Sequence, residues 1–169
     1  MTDTAQLVEV HIVGLPIGAY REAQEHVDEL LREFALIRER DPHDAVADAV
    51  ADADAVADAV AVPRRLLALV DRLTEQFSGF TAGQEAELRD AVERGDGSID
   101  LVYRVPRETK EAVIELGAML DEADEFCRRG QHLLTLTTPP RALAFRRWFL
   151  DEFVRQMEGE PPRRWEPPG

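Results

Sequence analysis

Residues 99–105 read IDLVYRV, an alternation that puts Ile99, Leu101, Tyr103 and Val105 on one side of an extended chain and Asp100, Val102 and Arg104 on the other. A period of two, rich in β-branched and aromatic residues, marks a strand with one buried face. The flanks agree: Asp96-Gly97 turns the chain before the strand and Pro106 follows it. Upstream, LVEVHIV (7–13) repeats the pattern, with Val8, Val10 and Ile12 opposed to Leu7, Glu9, His11 and Val13. Downstream, HLLTLT (132–137) reads as a third strand. The helical pattern between the second and third strands has the length of a right-handed crossover, which makes these two strands parallel neighbours.

Between and after the strands the period changes to 3.6. Tyr20, Ala23, Val27, Leu30, Phe34 and Ile37 form one apolar stripe. Pro63 is placed to open a second helix with Leu66, Val70, Leu73 and Phe77, which ends at Ser78-Gly79. A third begins at Thr81, with Gln84 at capping-box spacing, carries Leu88, Ala91 and Val92, and stops at Gly95. Pro106 starts a fourth with Val113, Leu116, Leu120, Ala123 and Cys127. Thr138 as cap and Pro139 in the first turn open a fifth, with Ala142, Phe145, Phe149, Phe153 and Met157 on its stripe and Trp148 beside it. The expected fold is α/β: a small three-stranded mixed or parallel sheet packed with about five helices, one sheet face more polar than the other. One domain spans 1–169. Residues 41–61 form a low-complexity Ala/Asp/Val insertion with six acids, readable as a marginal helix or a disordered loop. The Pro-rich tail, 159–169, is expected to be extended and pinned by Trp165.

The 169 residues are 44% apolar and 32% charged, with a net charge of −14, enough for an ordinary core without disulfides or a structural metal. No apolar run approaches a membrane span, the N-terminal stretch lacks the features of a signal peptide, and Cys127 has no intrachain partner. These readings place the protein in the cytoplasm. Acids dominate residues 1–62 (14 against 4 bases), whereas residues 128–169 hold 5 acids and 8 bases. So negative a field repels nucleic acid, and the pairs Arg128/Arg129, Arg146/Arg147 and Arg163/Arg164 read as partners for the chain's own acids. The chain has no Asn, two serines and one lysine, Lys110, which follows Arg-Glu-Thr. That excludes a phosphate-binding loop, removes the usual magnesium ligand of a histidine-kinase-type ATP site, and leaves no nucleophile elbow.

Candidate sites are few. With the apolar strand faces toward the helices, the other face shows Glu9, His11, Asp100, Arg104, Thr135 and Thr137, relieved by Val13, Val102 and Leu133. Glu9 or Asp100 paired with Arg104 is the structural reading; a ligand site at Glu9, His11, Asp100 and Arg104 is the functional one. Glu22 and His26 stand four apart on a helix near Glu25 and Glu29, but without HExxH or CxxC they read as a solvated helix face, with no metal. In DEADE (121–125), Asp124/Arg128 and Glu125/Arg129 are spaced for surface salt bridges. Cys127 reads as a buried, inert thiol.

At ELLREFALI (29–37), QFSGFT (76–81), GDGSIDLVYRVP (95–106) and LLTLTTPPRALAFRRWFLDEFVRQMEGEPPRRW (133–165) the chain resembles an uncharacterised family of small proteins from high-GC bacteria. That family is associated with operons of anti-sigma serine kinases, their antagonists and the opposing phosphatases. The resemblance carries no catalytic motif; it implies a regulatory, partner-switching neighbourhood. The expected function is a non-catalytic protein-interaction domain in a stress or sigma-factor circuit. Arg146, Arg147, Trp148 and Trp165 are its candidate contact residues, and no cofactor is expected. An anti-sigma kinase, antagonist or phosphatase is the expected partner, with a homodimer as a further possibility and no nucleic acid or membrane. The alternatives are a small-molecule or metal sensor at the polar sheet face and, below that, an enzyme with His11 or His26 as base.

Overall fold

The computed structural model describes residues 6–39, 53–129 and 137–168. Six elements follow in order: strand β1 (Leu7–Pro16), helix α1 (Ile17–Glu39), helix α2 (Ala53–Arg94), strand β2 (Ser98–Pro106), helix α3 (Thr109–Arg129) and helix α4 (Pro140–Met157). β1 and β2 pair antiparallel, with Glu9 opposite Arg104, His11 opposite Val102 and Ile12 opposite Leu101. The next pair is Leu15 with Ile99, so β1 bulges between them. Gly14 supplies the bulge's positive φ of 68°, and its N–H donates to Asp100 Oδ1 at 2.6 Å.

The expected three-stranded sheet with about five helices is therefore replaced, among the described residues, by a two-stranded antiparallel sheet and four helices. β2 takes β1, not a following parallel strand, as its neighbour; of the expected third strand, residues 132–136 lie outside the described residues and Thr137 is not in a strand. The second and third expected helices are one helix of 42 residues, about 63 Å long at 1.5 Å per residue. Pro63 lies inside it and not at its start. Gly79 does not stop it, because an interior glycine costs only about 1 kcal/mol and the helix is buried on both sides of it, through Leu66 and Leu69 and through Leu88 and Ala91. Nor does Thr81 cap anything: its hydroxyl donates to Glu85 at 3.0 Å, while Gln84 reaches across to β2. Thr138 likewise is no cap; Pro139 holds that position without a side-chain bond. Of the low-complexity insertion, 53–61 is helical and 41–52 lies outside the described residues.

Two apolar clusters result. In the first, Val10, Ile12, Leu101, Tyr103 and Val105 from the strands meet Leu88 and Ala91 of α2 and Phe145 and Phe153 of α4. In the second, Leu30 and Phe34 of α1 meet Val62, Leu66 and Leu69 of α2 and Met119, Leu120, Ala123 and Cys127 of α3. Helix α2 belongs to both, its C-terminal end in the sheet core and its N-terminal part in the helical one.

Candidate functional site

The exposed face of the sheet spends its charges on itself. Arg104 Nη2 lies 2.8 Å from Glu9 Oε1, and His11 Nε2 lies 3.8 Å from Glu9 Oε2, all three side chains being about half or more exposed. Asp100 is turned away to the bulge at Gly14. Of the four residues proposed for a ligand, three are adjacent and the fourth serves the backbone. Both ribbon edges are capped at the central pair: Gln156 accepts from His11 N–H and donates to His11 C=O, each at 2.8 Å, and Gln84 Nε2 donates to Val102 C=O at 2.6 Å. The two amides satisfy groups that would otherwise invite a further strand.

The tail is fastened to this edge through Glu152, which is wholly buried. Its carboxylate accepts from Arg163 N–H and Nε (2.9 Å each), Arg155 Nη1 (3.1 Å) and Gln156 Nε2 (3.0 Å). Burial alone would raise the Glu152 carboxyl; the Arg163 amide and guanidinium, with Gln156, hold it below the ordinary value. Beyond Arg163, Trp165 N–H donates to Val13 C=O at 3.3 Å. Its ring meets Phe145 and Trp148 at centroid distances of 6.0 and 5.4 Å, and Trp148 Nε1 donates to Arg163 C=O at 3.3 Å. The guanidinium of Arg164 lies over Gly14, where a Cβ would stand 2.8 Å from Nη1.

This clasp walls one side of an open groove of about 980 Å³ running along α3 and α4. Val113, Ile114, Gly117 and Ala118 of α3 line it together with Leu150 and Val154 of α4. Ile114 is 51% exposed. The four residues proposed as partner contacts, Arg146, Arg147, Trp148 and Trp165, all border this groove. They differ in availability: Arg147 is 63% exposed, whereas Arg146 is buried beneath the surface, held by Asp121 at 2.7 Å and Asp124 at 2.8 Å.

That second buried carboxylate corrects two readings. Asp124 does not pair with Arg128 on a solvated face; it is buried, bonded by the Thr138 hydroxyl and by Arg146, and Glu125 takes both Arg128 and Arg129. Burial pushes its carboxyl upward, but Thr138 and Arg146 outweigh it and hold Asp124 below the ordinary value. His26, read as exposed, is also buried, and its Nε2 has no hydrogen-bond partner. Burial lowers its pKa, Asp124 opposes that and Arg146 adds to it. Cys127 is buried as its stripe indicated, and burial pushes its thiol up to about 11, so it is held as the unreactive thiol at neutral pH. Among the described residues, no group of three or more His, Cys, Asp or Glu is placed to hold a metal ion. No described helix is long and apolar enough to cross a membrane.

Sequence reading missed Glu152 and Gln156, and gave Gln84 and His26 other roles, a helix cap and a solvated helix face. Glu152 does sit beside Phe153 on an aromatic stripe, a local sign of burial; its partner Arg163 lies in the tail. Neither a family model, nor a curated protein, nor a solved structure matches this chain.

Proposed function

We propose that this protein is a non-catalytic interaction domain that docks a regulatory protein in the groove between α3 and α4. The observation that carries the reading is the placement of exposed Ile114 in an apolar floor, beside Arg147 and a tail wall already fixed by Glu152. An exposed aliphatic residue in such a floor loses water when a partner covers it, and a prefixed wall limits the ordering cost of binding. The resemblance to proteins encoded beside anti-sigma kinases, antagonists and phosphatases names the partners to try first. The sensor reading finds less support, since Glu9, Arg104 and Asp100 already bond within the fold.

The test is affinity capture by the tagged full chain in its native cells, with Ile114→Glu and His11→Ala/Arg104→Ala chains in parallel. A stoichiometric kinase, antagonist or phosphatase held by the wild type and lost with Ile114→Glu is expected. A small molecule that copurifies and is lost only with the His11/Arg104 variant would transfer the site to the sheet face. Absence of any retained protein would overturn the reading.

A further inference from the structure

The charges around the groove are unevenly matched. Asp121 is engaged by Arg146 at 2.7 Å, and Asp151 by Arg163. Arg147 has only a share of Asp121, at 3.5 Å. Arg164 has no carboxylate partner among the described residues and packs its guanidinium over Gly14. Glu166 is the lining acid without an ion-pair partner. Four lining arginines (Arg146, Arg147, Arg163 and Arg164) against three acids (Asp121, Asp151 and Glu166) thus border an apolar floor, on a protein whose net charge is −14.

Resting on the docking reading above, we infer that the occupant is an acidic amphipathic helix of a partner protein. Its apolar stripe would lie on Ile114, Gly117, Ala118, Leu150 and Val154, and its carboxylates would face Arg147 and Arg164. The floor from Val113 to Asp121 extends about 12 Å along α3, which matches two to three turns of a guest helix anchored at i, i+3/i+4 and i+7. Gly117 allows close approach: a Cβ built there meets only Leu150, at 3.6 Å. Arg164, which lacks a carboxylate in the free protein, and Arg147, which only shares Asp121, each gain one on binding, whereas a basic guest would meet like charge. A nucleic-acid strand fits less well, because it would leave the floor uncovered and face the repulsion of the whole molecule.

Three synthetic 15-residue helical peptides with one shared leucine stripe, flanked by Glu, Gln or Lys, distinguish these chemistries in fluorescence anisotropy with the full chain. The Glu peptide is expected to bind with Kd below about 100 µM and at least about tenfold more tightly than the Lys peptide. Ile114→Glu and, independently, Ala118→Glu should each abolish binding, and Arg147→Glu/Arg164→Glu should reverse the preference, with circular dichroism unchanged. No binding by the Glu peptide, equal binding of all three, or a preference for Lys overturns the inference. So does a groove-dependent dimer of this chain in sedimentation velocity that excludes the peptide. A captured protein that is lost with Ile114→Glu while the Glu peptide fails leaves the docking reading standing and removes only the acidic helix.

Discussion

The two ends of α2 rest in cores built differently. The sheet end is aromatic: Phe145 meets Tyr20, Trp148, Phe149 and Trp165 with centroids 5.8 to 6.2 Å apart, and Tyr103 meets Phe149 and Phe153. Its buried carboxylate, Glu152, is fully supplied with donors. The helical end is mostly aliphatic, with one ring pair, Phe34 and Phe126, at 5.8 Å. At the junction between them the polar cluster of Asp124 and Arg146 has His26 beside it, unbonded at Nε2. A small sheet face was closed by adding rings and a tail, and a helical face by interlocking Leu, Met and Ala. The difference teaches that completeness of hydrogen bonding, not burial as such, decides whether a buried ionisable group is held charged, as Glu152 and Asp124 are, or neutral, as His26 is.

The largest expected effects test whether the two cores unfold as one unit. Phe34→Ala empties the helical core and Phe145→Ala the sheet core, each costing about 3–5 kcal/mol. Because α1 and α2 pass through both, each variant should lower the midpoint of the same single urea transition, followed by circular dichroism and by Trp fluorescence. Separated transitions by the two probes would show that α2 joins two independent parts.

Glu152→Ala comes next, at about 3 kcal/mol, because it removes the buried acceptor of Arg155 and Arg163 and leaves them only Glu160 and Asp151 at the surface. The cost falls at the lower end of the range for buried pairs since Arg163 is half exposed and recovers water. Trp165 should become exposed, read as a red shift of its emission. Glu152 and Asp124 both have lowered pKa values, so their stabilisation is complete above the ordinary carboxylate range and lost as pH falls through their folded values. Acid unfolding of Glu152→Ala should therefore be shallower than that of the wild type.

His26 acts in the same direction but at higher pH. Its pKa is lowered from 6.5, so the unfolded chain takes up a proton first, and stability is full above 6.5 and declines as pH falls below it. His26→Leu removes an unsatisfied polar atom and should stay within about 1 kcal/mol of the wild type at pH 7. Its stability should be nearly flat between pH 6.5 and 5, where the wild type loses some; equal slopes in the two proteins would mean that His26 is solvated.

How much of this was legible follows from distance along the chain. Strands β1 and β2 announce themselves because one face of each is buried and the alternation is local. Their antiparallel pairing is not, since some 80 residues intervene and neither strand encodes its neighbour. The Ser78-Gly79 step looks like a helix end, and only the burial of Leu66 and Leu69 on one side and Leu88 and Ala91 on the other shows why the helix continues. Charge spacing hid the polar clusters. Asp124 has Arg128 at the right interval but meets Arg146, 22 residues on, and Glu152 meets Arg163 of a tail without regular structure. Of the candidate sites, Arg104 was readable as half of an ion pair whose acid was either Glu9 or Asp100, because alternation puts all three on one face and only the strand pairing chooses between them; the groove was not, since α3, α4 and the tail form it only once they pack together.

A gain in stability is expected in the part of α2 between the two cores. Gly79 and Gly83 are helical, and nothing lies within 4 Å of where a Cβ would stand on either. An alanine at such a position adds about 0.5–1 kcal/mol, by removing freedom from the unfolded chain and by favouring the helix. Gly79→Ala and Gly83→Ala, one turn apart on an exposed face, should together raise the urea midpoint by the equivalent of about 1–2 kcal/mol without moving any core residue. If α2 transmits stability from one core to the other, the whole gain appears in the single global transition. If the cores melt apart, the same substitutions change only the helical signal of the connecting segment, and the Trp165 transition stays where it was. Unchanged stability by both probes would mean that this segment is not continuous helix in solution, and the long helix joining the cores would have to be abandoned.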